Sequence, residues 1–141
     1  AISAHELHGK VVSVHDGDTL TLLVPGQTPC KVRLDAIDAP EAKQAFSEVS
    51  RKALAALVAG KDVKVDWKSQ DRFKRIIGRV TVDGVNVNLQ QVAAGMAWHY
   101  TKYNQEKSFA LAHETAKAKR LGLWKDAKPV APWEFRKQGK K

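Results

Sequence analysis

Cysteine is nearly missing from this chain: Cys30 stands alone among 141 residues. That excludes an internal disulfide and any cysteine-based zinc site, and leaves Cys30 as a small apolar residue of a strand. His5 and His8 are two ligands in a terminal segment, short of what a zinc site needs. Long apolar runs are missing too. No stretch approaches the ~20 residues that cross a bilayer as a helix, and no basic amphipathic helix with exposed aromatics suits a membrane surface. Acidic residues are in the minority, 15 against 24 Lys and Arg, for a net charge of +9 with histidines neutral. Such an excess favours polyanionic partners, with nucleic acid ahead of an anionic membrane. There is no internal repeat, and at this length one domain buries an adequate core.

That scarcity gives weight to the acids that are present. His15-Asp16-Gly17-Asp18-Thr19 is followed about twenty residues later by Arg33-Leu34-Asp35-Ala36-Ile37-Asp38-Ala39-Pro40-Glu41. Five carboxylates and an arginine thus fall in a stretch too short for more than three strands. An isolated Asp-Gly turn reads as an ordinary hairpin, and Arg33 with Asp35 as an outward, solvated ion pair.

Periodicity organises the rest. Gly9 to His15 alternates as a strand with Val12 and Val14 on one face. Thr19 to Val24 follows with Leu20, Leu22 and Val24 inward, and Cys30 to Ile37 with Val32, Leu34 and Ala36 inward. A helix begins near Ser47, with Val49, Ala53, Ala56 and Leu57 as its apolar stripe and Gly60 past its end. Val63, Val65 and Trp67 mark a fourth strand, and Arg75 to Val82 a fifth before the Asp83-Gly84 turn. A second helix runs from Asn88, as N-cap, to Ala94; a third runs from about Glu106 to Leu121. The fold class is therefore α+β: a five-stranded OB-fold barrel with three helices. Residues 1–8 form a lead-in, 9–127 the domain, and 128–141 a basic tail, extended or partly disordered, with Trp133 docked on the body. The chain opens Ala1-Ile2-Ser3-Ala4 without methionine, either the end left by signal-peptide removal or a trimmed end; the expectation is a secreted or periplasmic protein.

Two carboxylates at one end of adjacent strands, ~4.8 Å apart, are placed to share a hard cation such as calcium. Asp18 and Asp38 have those positions, provided the third strand ends, twists or bulges before Asp38, since strict alternation sets Asp38 opposite Arg33. Phosphodiester hydrolysis needs such a cation, an oriented water and cationic groups on the phosphate oxygens.

His15-Asp16-Gly17-Asp18-Thr19, Val32-Arg33-Leu34, Ile37-Asp38-Ala39-Pro40-Glu41, Asp71-Arg72-Phe73-Lys74-Arg75 and Arg120-Leu121-Gly122-Leu123-Trp124 together resemble the staphylococcal nuclease (thermonuclease) family, in its order and at its spacings, over residues 9–124. The resemblance implies an OB barrel and calcium-dependent hydrolysis of DNA and RNA with little sequence specificity, leaving 3′-phosphate and 5′-hydroxyl ends. It implies Asp18, Asp38 and the Ala39 main-chain carbonyl as Ca2+ ligands, with Asp16 in support. It implies Glu41 as general base or water-orienting group and Arg33 and Arg75 on the phosphate, with Arg79 nearby as the rival for the second arginine. Arg72, Trp98 and Tyr100 are the implied substrate contacts, with Tyr103 as a spare. Lys74 departs from the family, which usually has glycine there, and Ser47 stands where glycine is common. The partners implied are DNA and RNA, with no membrane and no obligate protein partner, for a monomer. The alternative is a catalytically inactive module of the same fold that binds nucleic acid or protein; the presence of every ligand and both arginines weighs against it.

Overall fold

The computed structural model describes residues 5–139; Ala1-Ile2-Ser3-Ala4, read above as a processed or trimmed end, lies outside them. Five strands make a closed barrel: β1 (Glu6–Asp16), β2 (Thr19–Leu23), β3 (Cys30–Leu34), β5 (Asp62–Gln70) and β6 (Ile76–Val82). The first three form an antiparallel meander, β5 joins β1 and β6, and a parallel β3–β6 pairing shuts the ring. Closure removes the unpaired strand edges of an open sheet. Short strands β4 (Ile37–Asp38) and β8 (Trp98–His99) pair with each other, and β7 (Val85–Asn86) pairs antiparallel with the end of β6.

The helices are α1 (Ser47–Val58), α2 (Val87–Ala93), α3 (Lys107–Ala118) and α4 (Pro132–Gln138), with a 3-10 turn over Gly122–Lys125. Among the described residues that is four α-helices where the sequence suggested three. The fourth occupies the basic tail expected to be extended. Pro132 sits at its start, where a missing N–H costs nothing and the fixed φ is already helical.

Leu20, Leu22, Val32 and Leu34 fill the barrel as the alternation required, and Leu54 and Val58 of α1 close it. Full burial of each such side chain is worth ~1.5–3 kcal/mol. Three local expectations are corrected. In β1 it is Val11 that is buried, while Val12 is half exposed. Register shifts between Val11 and Ser13 and between Val14 and Asp16 show why: two bulges each insert an extra residue, and each flips the face that follows. On α1 the buried line is Ser50, Leu54 and Val58, with Val49 outside, because the packed stripe lies about one residue further round the helix. At α2 the N-cap is Asn86, whose side chain accepts the Leu89 N–H. Asn88 is fully buried instead. Its Oδ1 accepts the Val80 amide, and its Nδ2 donates to the carbonyls of Asp35 and Gly78.

Candidate active site

The acidic turn is held by the barrel and by the helices beneath it. Gly17 packs so tightly on α1 that a Cβ there would lie 1.8 Å from Ser50 Oγ. Gln91 of α2, itself buried, donates to the Gly17 carbonyl at 2.9 Å. The second β1 bulge sets Asp16 opposite Thr19 and off the face of Val14. The Asp18 amide then bonds Asp16 Oδ1 at 3.0 Å. Gln91 and Ser50 gave no signal in the sequence, because a polar residue on a helix face carries no mark of what it will meet.

The third strand resolves the parity problem. β3 ends at Leu34, and Ala36 takes φ 74°, a left-handed conformation that breaks the alternation. Ile37 and Asp38 then pair with His99 and Trp98. The chain therefore turns before Asp38, and Arg33 and Asp38 converge. One Arg33 nitrogen, Nη2, lies 3.4 Å from both Asp18 Oδ2 and Asp38 Oδ1. Asp18 Oδ2 also accepts the Ala39 amide at 2.7 Å, and Oδ1 accepts the Thr19 hydroxyl at 3.0 Å.

Burial works against ionising Asp18, but the Arg33 guanidinium and hydrogen bonds from Asp16, the Ala39 amide and Thr19 outweigh it and hold the carboxyl below its ordinary range. Asp16 shows the opposite: burial and then the Asp18 charge push it up to about 7. Asp38 is raised by burial too, although its hydrogen bonds to Arg136 pull the other way. The two buried acids thus differ: Arg33 and hydrogen bonds outweigh burial at Asp18, and burial prevails at Asp38.

Asp16, Asp18, Arg33, Asp38, Glu41, Arg72, Phe73, Arg75, Tyr100, Tyr103 and Arg136 line one cavity of about 870 Å³. Arg75 precedes β6, and since Arg33 is in register with Ile77, Arg75 lies on the same face two residues back. Arg79 shares that face as well, so its position along the strand separates the two arginines. Arg79 lies beyond the cavity, held by Asp35 at 3.1 Å, by Glu106, and over the Phe109 ring at 5.0 Å. Asp35, read as a solvated charge, is buried between Arg79 and Lys68; the turn at Ala36 folds it back against the barrel.

Lys74 carries the positive φ, 64°, that the usual glycine adopts without strain. Asp71 clamps the loop in compensation. Its Oδ1 accepts the amides of Phe73 and Arg75 at 2.8 and 3.0 Å, and its Oδ2 accepts Arg75 Nε at 2.7 Å. Phe73, which sequence reasoning did not single out, is 64% exposed at the cavity, with the Arg72 and Arg75 guanidinium groups over its ring. Trp98 is placed differently from Tyr100. It lies outside the cavity lining and packs against Trp124 at 4.6 Å, Trp133 at 5.4 Å and His113 at 5.7 Å. Pairing of β8 with β4 sets it opposite Asp38 in the ladder, and the neighbouring rings claim its side chain. Tyr100 does line the cavity, edge-on to Tyr103 at 4.9 Å.

The donor set suits a hard cation: two buried carboxylates, with Asp16 and Glu41 close by, already drawing guanidinium groups. Among the described residues no three His, Cys, Asp or Glu side chains make a cage by themselves, so main-chain oxygen and water would complete the shell. Arg136 was not anticipated. It comes from α4, and its Nη1 and Nη2 bond Asp38 Oδ1 and Oδ2 at 3.1 and 2.7 Å, while Nη1 also reaches Glu41.

Residues 31–126 match the family model described as staphylococcal nuclease homologue. The chain is 44% identical over 131 residues to an uncharacterized endonuclease of Haemophilus influenzae, covering 93% of this chain and 74% of that one. It is 42% identical over 132 residues to an uncharacterized endonuclease of Escherichia coli, covering 93% and 86%. To a protein of Shigella flexneri named micrococcal nuclease it is 37% identical over 146 residues, covering 96% and 83%. With the barrel, the acidic turn and the arginine-lined cavity, these matches establish that the chain belongs to the staphylococcal nuclease homologue family.

Proposed function

We propose that this protein is a calcium-dependent nuclease that hydrolyses phosphodiester bonds of DNA and RNA with little sequence specificity. The observation that carries the reading is Arg33 Nη2 poised 3.4 Å from both Asp18 and Asp38, at the edge of a cavity that also holds Glu41 and Arg75. Family membership and the nuclease names of the relatives support the reaction class. The +9 charge supplies non-specific attraction for the nucleic-acid backbone.

Asp18, Asp38 and the Ala39 carbonyl would hold the ion, with Asp16 supporting the turn. A bound Ca2+ would offset phosphate charge and ease deprotonation of water. The chain's own residues do the rest. Arg33 and Arg75 grip the phosphate oxygens, where planar forks that stay charged match the geometry better than lysine. Glu41 orients the attacking water and takes its proton. The water oxygen bonds phosphorus as the P–O5′ bond breaks, and the leaving 5′-oxygen takes a proton from solvent water, giving 3′-phosphate and 5′-hydroxyl ends. Phe73 and Tyr100 offer ring faces for bases, a sequence-tolerant form of binding.

Plasmid nicking with calcium, repeated in excess chelator and followed by end-group analysis, tests each part. Undiminished cutting under chelation removes the metal, and 5′-phosphate ends reject the stated bond.

A further inference from the structure

The α4 helix lies over the site, and two of its side chains take up the site's own binding groups. Arg136 sets its fork on both Asp38 oxygens and bonds Glu41 as well. These are the oxygens the proposed mechanism needs for the cation and for the water. One turn earlier, Trp133 stacks on the cavity tyrosine, Tyr100, with ring centroids 5.2 Å apart and planes 4° apart. Arg136 Nη2 also donates to the Tyr100 hydroxyl at 3.2 Å. Residues three apart share a helix face, so a single short helix presents a cation to the carboxylates and a flat ring to the aromatic platform.

We propose that α4 is an intramolecular cap, a stand-in for metal and nucleotide that must swing away before both bind. Resting on the calcium reading above, it adds to it a closed state of the enzyme. The attachment suits a hinge. Gln44 donates to the Val130 carbonyl at 2.7 Å, and Ala131 and Pro132 are buried, so the start of the helix is pinned. Beyond that point Trp133 docks on Tyr100 and Trp98 and Arg136 on the acids, and Phe135 is partly buried. The closed state is electrostatically matched, because the Arg136 fork faces Asp38 and Glu41 while Arg33 Nη2 lies 3.4 Å from Asp18 and Asp38. The Arg136 guanidinium already bonds both Asp38 oxygens, the same atoms a cation would take. The two occupants therefore compete, and apparent calcium affinity is the intrinsic value reduced by the closed fraction.

The test is calorimetric titration of calcium into wild type, Arg136→Gln and Trp133→Leu, with 19F NMR of fluorotryptophan-labelled wild type. Trp133→Leu loosens the cap without changing charge, which separates release of a lid from simple loss of a nearby cation. Both variants are expected to bind calcium about tenfold more tightly, within the usual range of coupling between linked sites. The Trp133 resonance is expected to move to its solvent-exposed value as calcium saturates the wild type. A Trp133 signal that stays put, or tightening in Arg136→Gln alone, overturns the cap and leaves the calcium reading standing. Weaker oligonucleotide binding by Arg136→Gln at saturating calcium also overturns it, since Arg136 would then be a grip on substrate. Calcium binding by none of the three proteins refutes the metal reading and the cap together.

Discussion

Asp18 Oδ2 accepts the Ala39 amide at 2.7 Å, a bond between residues 21 apart that ties the acidic turn to its echo. Asp18 therefore has two tasks, one mechanical and one electrostatic, and they can be separated. Asp18→Asn keeps an acceptor for Ala39 but removes the charge facing Arg33 and the proposed ion. It should fold with near-native stability and lose calcium binding and at least about a hundredfold in cutting, as expected when a group stabilising transition-state charge is removed. Asp18→Ala strands the buried Ala39 N–H and should cost a further ~1–3 kcal/mol. Chemical denaturation beside calcium titration checks this; equal destabilisation by the two variants would mean the charge, rather than the bond, holds the loop.

Glu41 is half exposed at the cavity edge and contacts Arg136 in the closed arrangement. Replacing it with glutamine keeps the shape and removes the basic oxygen. If Glu41 takes the proton of the attacking water, turnover at saturating calcium should fall ~10²–10⁴-fold, with substrate affinity little changed. Single-turnover cleavage of a short oligonucleotide gives the number, and near-native turnover would take Glu41 out of the chemistry.

Arg75 and Arg79 share a strand face but answer to different masters. Arg75→Ala should lower cutting by two orders of magnitude or more, on the scale of losing a donor to a developing oxyanion, with stability almost intact. Arg79→Ala leaves Asp35, only 8% exposed, with Lys68 as its remaining ion-pair partner. Its cost should appear as stability, about 2 kcal/mol, below the ~3–5 kcal/mol of a fully orphaned buried charge. Activity per folded molecule should hardly change. A reversed pattern, activity lost at Arg79 and stability at Arg75, would contradict the placement of both.

These residues also show what the sequence can and cannot convey. Leu20, Leu22, Val32 and Val65 were legible because alternation survives wherever a strand runs unbroken. Val11 was not, because a bulge changes face without changing composition. Asp18, Arg33, Asp38 and Glu41 stood out as a motif, yet their convergence depends on the left-handed turn at Ala36, a residue type with no local preference for it. Asn88, Gln91 and Arg136 were hidden for a different reason. Each acts through partners 8 to 98 residues away, and polar side chains do not announce long-range contacts in their neighbours. The packing of Trp98 on Trp124, Trp133 and His113 was not legible either, because a ring in an aromatic loop reads equally as packing or as stacking.

His113 supplies a pH signature apart from the catalytic acids. It sits between Trp98 and Trp124, and its Nδ1 accepts the His99 amide at 3.3 Å, a bond only the neutral ring can receive. Burial pushes its pKa below the ordinary 6.5, with Glu114 opposing and the Lys117 and His99 charges assisting. Unfolding restores the ordinary value, so as pH drops below about 6.5 the unfolded chain binds a proton that the folded one refuses. Its contribution is full above that point and declines as pH falls through the depressed folded value. The stability advantage of wild type over His113→Gln should therefore shrink between pH 7.5 and pH 5, as read from urea midpoints across that range. An advantage that holds constant or grows on acidification would show that the folded protein carries His113 charged, with the His99 amide bonded elsewhere.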